Sequence, residues 1–264
     1  EKEKEAEWLK IAINAAKLGG EEIMKIYSQD FEVFNKEDNS PLTVADQNAN
    51  KIIEDILRKT NIPILSEEGK HADFNERKNW EKLWIVDPLD GTKEFVEGIP
   101  NFVISVGLVE NNKPVLGIIY NPVTEQMFSA YTGGGVKLNG VNCTISKSSQ
   151  LSKMSMLNSR SETKAGLWEP YKEYFNEVSP IGSIAYKLAL VSTAQSDMVA
   201  SLKPKNEWDI CAGHCLINES GGILITSLGE KISYNNSNTL ITPGLIAGNI
   251  TAVQNMIDLI ESTN

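Results

Sequence analysis

Residues 84 to 92 read Trp84-Ile85-Val86-Asp87-Pro88-Leu89-Asp90-Gly91-Thr92, an apolar, strand-forming run that ends in two aspartates. Pro88 fixes one φ angle and removes an N–H group, and Gly91 permits a turn that few other residues adopt. The carboxylates of Asp87 and Asp90 can therefore converge instead of alternating across a sheet. Two such carboxylates repel each other unless a divalent cation lies between them. The run predicts the rim of a metal site. The alternative is a helix start capped by Asp90, with Asp87 incidental.

Two further acidic groups lie beside buried elements. Glu67 and Glu68 follow a strand candidate over residues 62–65, and Asp209 lies in the first turn of a helix expected over 209–219. Helix dipoles favour an acid in that turn, so capping alone would also explain Asp209. Because α/β proteins place ligands at strand ends and helix starts, the three acidic groups together favour one shared site.

In order and spacing these motifs resemble the lithium-sensitive, magnesium-dependent phosphatases that include inositol monophosphatase and 3'(2'),5'-bisphosphate nucleotidase. The family pattern W-x-V-D-P-x-D-G-T matches residues 84–92, and its Glu-Glu and Trp-Asp pairs match residues 67–68 and 208–209. The resemblance spans nearly the whole chain and implies lithium sensitivity and a role in sulfur metabolism. It also implies that two or three Mg²⁺ ions are bound by Glu67, Asp87, the carbonyl oxygen of Leu89, Asp90 and Asp209.

Phosphate ester hydrolysis explains why such residues are needed. Phosphate monoesters hydrolyse extremely slowly in water, and general acid–base catalysis contributes only about 10²–10⁴-fold. Two metal ions about 3.5–4 Å apart can activate a water and neutralise charge on the phosphoryl group and the leaving oxygen. Mg²⁺ takes oxygen ligands and keeps several waters, which selects aspartate and glutamate over cysteine and histidine.

The resemblance also implies a catalytic group of Asp46, Thr92 and Glu67. Residues 43–47 match the family's Thr-x-x-Asp-Gln segment, in which the aspartate binds the threonine of the D-G-T motif, so that the two orient the attacking water. The residues alone allow a second interpretation, because Thr43 followed by Asp46 is a capping box before the amphipathic run 44–59. Both interpretations can hold together. Glu68 is expected either to support Glu67 or to be exposed to solvent.

Within the family, residues 91–95 and 204–214 are more similar to the bacterial bisphosphate nucleotidases, which favour G-T-K-E-F and P-x-N-x-W-D-x-x-A-G-H. This resemblance implies removal of the 3'-phosphate of adenosine 3',5'-bisphosphate, giving AMP and phosphate. Inositol monophosphatases carry a glutamate seven residues before the Trp-Asp aspartate. Leu202 occupies that position here, and the ring hydroxyls of a polyol would face its apolar side chain, which argues against a polyol substrate.

A bisphosphate substrate needs a cation for its second phosphate. Residues 182–187 resemble the family's G-S-x-x-x-K helix entry, which implies that Lys187 lies near that phosphate, although a solvated helix lysine is the alternative. The implied substrate contacts are Gly91, Thr92, Lys187 and Asp209.

Two positions depart from the family pattern. Ser201 stands where the family has an arginine, and Glu162 replaces a histidine. Lys203 or Arg160 are the candidates to compensate. An inositol monophosphatase, a broader sugar-phosphate phosphatase and a noncatalytic metal or anion binder stay as alternative functions.

Composition limits the partners and the compartment. A net charge of −10 argues against a nucleic-acid polymer as partner. No apolar run of 18 residues and no signal-like segment is present, so neither a membrane span nor export is expected. Three cysteines without CxxC spacing fit a reducing compartment, and we expect a cytoplasmic protein.

Cys211, His214 and Cys215 lack a fourth zinc ligand and are expected to pack in a buried helix. The chain begins at Glu1 without methionine, which suggests removal of an upstream segment.

The pattern of elements predicts an α/β layered fold in two halves, residues 1–145 and 146–264. The first half has helices at 5–28 and 44–59 and an antiparallel meander at 62–65, 83–87, 101–109, 114–121 and 126–131. Residues 133–135 and 139–140 are hairpin turns and lack the ending of a P-loop. The second half has strands at 154–158, 198–202, 222–226 and 245–248, and helices at 164–175, 184–194, 209–219 and 250–261. The resemblance sharpens this into a five-layer αβαβα sandwich with metals between the halves. It also implies a homodimer.

Overall fold

The computed structural model describes residues 2–30, 32–36 and 41–263. Its α-helices are α1 (Lys2–Tyr27), α2 (Val44–Leu57), α3 (Phe74–Arg77), α4 (Thr92–Glu97), α5 (Arg160–Lys164), α6 (Ile184–Ser192), α7 (Glu207–Glu219) and α8 (Ile250–Thr263). Its strands are β1 (Val33–Asn35), β2 (Pro41–Thr43), β3 (Ile64–Ser66), β4 (Lys82–Asp90), β5 (Val103–Glu110), β6 (Lys113–Asn121), β7 (Gln126–Tyr131), β8 (Val136–Leu138), β9 (Val141–Cys143), β10 (Ser155–Ser159), β11 (Glu177–Ile181), β12 (Met198–Ser201), β13 (Lys205–Asn206), β14 (Ile223–Thr226), β15 (Leu240–Ile241) and β16 (Leu245–Gly248).

Two large sheets and three helical layers alternate. The seven-stranded sheet has the order β3-β4-β5-β6-β7-β8-β9, and the five-stranded sheet has the order β11-β10-β12-β16-β14. Helices α1 and α2 cover the outer face of the first sheet, α6 and α7 lie between the sheets, and α8 covers the second sheet. The predicted five-layer αβαβα sandwich is confirmed. The first sheet lies within residues 64–143 and the second within 155–248, while the two-half division at 145/146 stays a prediction.

Helix α7 lies between the two sheets and is buried from Ile210 to Ile217, where every residue except His214 is small or apolar. Glycines in the facing strands let it approach closely. A Cβ atom on Gly107 would lie 2.6 Å from Cys211 Sγ, and one on Gly117 would lie 2.3 Å from the Ala212 carbonyl oxygen. Cys211 and Cys215 are free, buried thiols, as the packing interpretation predicts.

His214 also belongs to this buried helix. Its Nδ1 atom lies 2.9 Å from the Tyr234 hydroxyl. In the described part of the chain, the one acidic, histidine or cysteine cluster close enough to hold a metal is Asp87, Asp90 and Asp209. The zinc alternative at His214 is therefore not supported.

The buried His214 predicts a loss of stability in acid. Burial lowers the pKa of His214 from 6.5 to about 4. The unfolded chain therefore binds a proton at higher pH than the folded chain, and stability falls as the pH drops from 6.5 to about 4. The effect amounts to at most about 3 kcal/mol of unfolding free energy. Urea denaturation at several pH values should show a flatter acid limb for His214→Gln than for the wild type, and equal slopes would contradict this account.

The sequence prediction was wrong over residues 164–175. Helix α5 ends at Lys164, turns follow, and Lys172–Tyr174 forms a 3₁₀ helix. Trp168, Tyr171 and Phe175 have helix-like spacing and are buried. Pro170 lies among them and cannot donate a helical hydrogen bond, so these side chains reach the core from turns instead.

The meander prediction also needs correction at its start. Strands β3 and β4 pair in parallel, with Ile64 opposite Trp84, whereas β4 to β7 pair antiparallel as expected. Strands β8 and β9, which the predicted meander did not include, continue the antiparallel order. The turn at Asn139-Gly140 joins β8 to β9, and both residues have positive φ angles, which fits the predicted hairpin. Across the described residues, no helix combines the length and apolar character needed to cross a membrane.

Candidate active site

The end of β4 carries two of the predicted ligands. The pairing register between β4 and β5 shifts between Asp87 and Asp90, a bulge that brings both carboxylates to one side. Gly91 follows with a φ angle of 98°, and a Cβ atom there would lie 2.8 Å from the Asn101 carbonyl oxygen. Gly91 itself is the N-cap of α4, so the interpretation of Asp90 as a helix cap is wrong.

Asp209 joins these carboxylates from the first turn of α7. One carboxylate oxygen from each of Asp87, Asp90 and Asp209 lies within 4.8 Å of the others. Asp209 also accepts a hydrogen bond of 2.8 Å from the Asn206 backbone N–H, so it caps α7 and belongs to the cluster at once. Two distant parts of the chain, the end of β4 and the start of α7, are thereby brought to one point.

Ser183 and the start of α6 hold Asp90 in place. The Asp90 Oδ2 atom accepts hydrogen bonds from the Ser183 hydroxyl at 2.6 Å and from the Ala185 N–H at 2.7 Å. Apart from the G-S-x-x-x-K resemblance, no sequence pattern predicted this role of Ser183. The Ser183 hydroxyl and the Ala185 N–H thus stabilise the negative charge on Asp90, and neither of them donates to Asp87.

The cluster is electrostatically frustrated. Burial raises the pKa of Asp87 well above its usual value, and Glu67, Asp90 and Asp209 raise it further. Burial, Asp90 and Glu67 also raise the pKa of Asp209 well above its usual value. The pKa of Asp90 is raised by burial against the Ser183 and Ala185 donors. The negative charge on all three carboxylates is therefore energetically unfavourable without a counter-charge. A divalent cation between them would supply that counter-charge.

Glu67 lies next to this cluster because of the parallel pairing of β3 with β4. Its backbone N–H donates to the Val86 carbonyl at 3.0 Å, one residue before Asp87. Its carboxylate is 2.9 Å from the ammonium group of Lys36, which also pairs with Glu68. Burial lowers the pKa of Lys36, but the two carboxylates outweigh it and raise the pKa above its usual value. Glu68 therefore supports Glu67, and sequence reasoning missed Lys36.

Asp46 and Thr92 form the predicted contact. The Thr92 hydroxyl donates to Asp46 Oδ1 at 2.8 Å and lies 3.2 Å from the Leu89 carbonyl oxygen. Asp46 Oδ2 accepts from the Thr43 N–H and from the Thr43 hydroxyl, each at 2.7 Å. Burial raises the pKa of Asp46, while hydrogen bonds from Thr43 and Thr92 oppose the rise. The capping box and the Asp46–Thr92 pair are both present, so the two interpretations hold together.

A cavity of about 680 Å³ opens beside the carboxylates and includes Gly91, Thr92 and Lys187 in its walls. This volume is in the range of sites for drug-sized ligands. The Lys187 side chain is buried, and its ammonium donates to the Ile181 carbonyl at 2.7 Å. Burial lowers the pKa of Lys187 to about 8, against the attraction of Asp90. The alternative of a solvated helix lysine is therefore wrong.

The two positions that depart from the family pattern contact each other. The Ser201 hydroxyl donates to the buried Glu162 carboxylate at 2.6 Å. Arg160 pairs with Glu94 and Glu97 at 2.8 and 2.7 Å. Leu202 packs against an apolar cluster under the second sheet and is not among the described residues that line the cavity. The expectation that Leu202 faces a substrate ring was therefore wrong. The argument against a polyol substrate now rests only on the absence of a carboxylate at position 202.

Comparisons with known proteins identify the family of this chain. The inositol monophosphatase family model matches residues 4–260. The chain belongs to the inositol monophosphatase family. It is 34% identical over 241 residues to the 3'(2'),5'-bisphosphate nucleotidase CysQ of Escherichia coli K12, covering 87% of this chain and 94% of that protein. It is 31% identical over 235 residues to CysQ of Haemophilus influenzae, covering 86% and 87%.

Solved structures of this family have the same fold. The crystal structure of CysQ from Bacteroides thetaiotaomicron is 33% identical, with a TM-score of 0.74 over 91% of this chain and 96% of that chain. The Thermotoga maritima IMPase is 25% identical, with a TM-score of 0.86 over 97% and 98%. The inositol monophosphatase family therefore includes relatives of both substrate types.

Proposed function

We propose that this protein is a metal-dependent phosphomonoesterase that removes the 3'-phosphate of adenosine 3',5'-bisphosphate, giving AMP and phosphate. The observation that carries this proposal is the group of three carboxylates within 4.8 Å, that of Asp87 buried and those of Asp90 and Asp209 half-buried, beside the Asp46–Thr92 pair in an open cavity. The identity of 34% to a bisphosphate nucleotidase over most of both chains supports the choice of substrate.

Magnesium is the cofactor that we propose, as two or three ions. Glu67, Asp87, Asp90, Asp209 and the Leu89 carbonyl oxygen would hold it, since these are the hard oxygen donors that Mg²⁺ prefers. When bound, the metal supplies positive charge that activates the attacking water and stabilises the phosphoryl oxygens. Glu67 thereby takes part in catalysis through the metal.

Asp46 and Thr92 orient the attacking water. The Thr92 hydroxyl gives its hydrogen to Asp46 and therefore presents lone pairs, with which it accepts a hydrogen bond from water. The water oxygen bonds to phosphorus, the bond from phosphorus to the ester oxygen breaks, and the leaving oxygen takes up a proton. The proposed substrate contacts are Gly91, Thr92, Lys187 and Asp209.

Phosphate release with Mg²⁺ tests this proposal. We expect kcat/KM for adenosine 3',5'-bisphosphate to exceed the values for inositol 1-phosphate and fructose 1,6-bisphosphate by about 10²-fold or more, because buried polar groups that lose their partners discriminate strongly. EDTA-treated protein is the control. A preference for inositol phosphate would overturn the substrate, and a preference for fructose 1,6-bisphosphate would indicate a broader sugar-phosphate phosphatase. No release from any of them would favour the noncatalytic homologue.

The homodimer, the lithium inhibition and the role in sulfur metabolism stay predictions of the resemblance. The cytoplasmic location stays a prediction of the cysteine pattern.

A further inference from the structure

Five cationic side chains line the cavity, and two of them form hydrogen-bonded ion pairs with carboxylates. They are Lys36, Lys93, Arg160, Lys187 and Lys205. Lys36 pairs with Glu67 and Glu68, and Arg160 pairs with Glu94 and Glu97 at hydrogen-bond distance. Because direct ion pairs neutralise these two charges, neither is free to bind a substrate anion without breaking its pairs.

Lys205 differs in its partners. Its ammonium donates to the carbonyl oxygens of Lys203 and Pro204, each at 3.2 Å. Glu162 Oε1 is the only carboxylate oxygen of the described residues within ion-pair range of it, at 3.8 Å, which is too long for a hydrogen bond. Carbonyl oxygens hold the ammonium without cancelling its charge, so Lys205 keeps donor capacity for an anion.

The Glu162 carboxylate is already saturated by other donors. It accepts hydrogen bonds from the Ser201 hydroxyl, the Trp168 indole N–H and two backbone N–H groups, those of Leu202 and Lys203, at 2.6 to 3.2 Å. A carboxylate offers about four lone-pair sites, so these donors use them all. Glu162 therefore holds the segment before Lys205 in place and forms no hydrogen bond with the Lys205 ammonium. The ammonium can then bind an anion in the cavity.

The backbone fixes Lys205 relative to the carboxylate cluster. Lys205 pairs with Ile241 across β13 and β15, and the next residue, Asn206, donates its N–H to Asp209. Its side chain is 19% exposed. Lys187 lines the same cavity and bonds only a carbonyl oxygen among the described residues. Two ammonium groups that lack a hydrogen-bonded carboxylate therefore line one cavity, an arrangement that an anion with several oxygens would satisfy.

We propose that Lys205, together with Lys187, binds the phosphate group that is not hydrolysed, and that Lys205 makes the enzyme select nucleotides with two phosphates; this inference rests on the proposed function. The residues considered from sequence as replacements for the family arginine do not fit this role. Lys203 is exposed and does not line the cavity as described, and Arg160 is held by Glu94 and Glu97.

The test compares Lys205→Met with the matched control Lys203→Met, on adenosine 3',5'-bisphosphate and on adenosine 3'-phosphate, with Mg²⁺. For Lys205→Met we expect the ratio of the two kcat/KM values to fall by about 10- to 100-fold, since a charge-assisted hydrogen bond to the second phosphate is lost. The fall should come from KM, and Lys205→Arg should restore most of the ratio. Lys203→Met should keep the wild-type ratio. Isothermal titration with AMP should show weaker binding to Lys205→Met, and a melting curve checks its fold.

Several outcomes would overturn the inference. Equal losses on both substrates, an unchanged ratio, or a ratio that falls in Lys93→Met instead would each refute a role of Lys205 in selecting the second phosphate, while leaving the phosphatase proposal intact. A wild-type protein that releases phosphate from neither compound would refute the proposed function and this inference with it.

Discussion

Asp87→Asn is expected to lower kcat/KM for phosphate release by about 10³-fold or more while raising the melting temperature of the metal-free protein. A neutral amide binds Mg²⁺ poorly, so activity is lost. In the metal-free protein, however, Asp87 is buried among Glu67, Asp90 and Asp209, which raise its pKa and penalise its charge. An asparagine oxygen can still accept the 3.0 Å hydrogen bond from the Leu89 N–H.

The pH dependence of the same variant has a defined sign. Because the folded pKa of Asp87 lies above 3.8, its contribution to stability is present below pH 3.8 and is lost as the pH rises through the folded pKa. Removing the titrating group should therefore stabilise the metal-free protein most at neutral pH. Differential scanning calorimetry in EDTA measures this. Asp55→Asn, at an exposed ion pair with Lys51, is the matched control and should change neither activity nor melting temperature much. A lower melting temperature for Asp87→Asn would contradict the frustrated cluster.

Thr92→Val should lower kcat by about 10²–10⁴-fold, with little change in stability. The substitution keeps the shape of the side chain but removes the hydroxyl that donates to Asp46 and that, in the proposed mechanism, accepts a hydrogen bond from the attacking water. Thr43→Val, which removes the other hydroxyl on Asp46, should instead cost about 1 kcal/mol of unfolding free energy through the lost cap, and much less activity. Kinetics and urea denaturation of both variants separate catalysis from capping.

Thr92→Ser provides the control for this pair, because it returns a hydroxyl at the same position and should recover most of the activity. If Thr43→Val lost the activity and Thr92→Val kept it, Asp46 would act only as a helix cap. The Asp46–Thr92 pair would then have no part in orienting water.

The carboxylate cluster was predictable because its determinants are local. Pro88 and Gly91 mark the bulge at the end of β4. A carboxylate at the end of a buried element lowers stability unless it is solvated, hydrogen-bonded or bound to a metal. The position of Asp209 needed the family resemblance, because a capping role explained it equally well from the sequence. In the structure it has both roles.

Charge pairs between distant segments were not predictable in the same way. Lys36 meets Glu67 and Glu68 across more than thirty residues, and Glu162 meets the segment before Lys205 across about forty. No periodicity encodes such contacts. Glu162 also precedes residues whose apolar spacing imitates a helix, so the fold around it was wrongly predicted. Long periodic elements such as α1, α2 and α8 were predicted well because packing and local pattern agree there.

Crystals grown with Mn²⁺ and measured at the manganese absorption edge test the central claim most directly. The anomalous difference map should contain at least one peak coordinated by Asp87, Asp90 and Asp209, with Glu67 bound to a metal in place of Lys36. A map without a peak among these carboxylates, in crystals grown at millimolar Mn²⁺ and neutral pH, would contradict the proposal that they form a metal centre for phosphate ester hydrolysis.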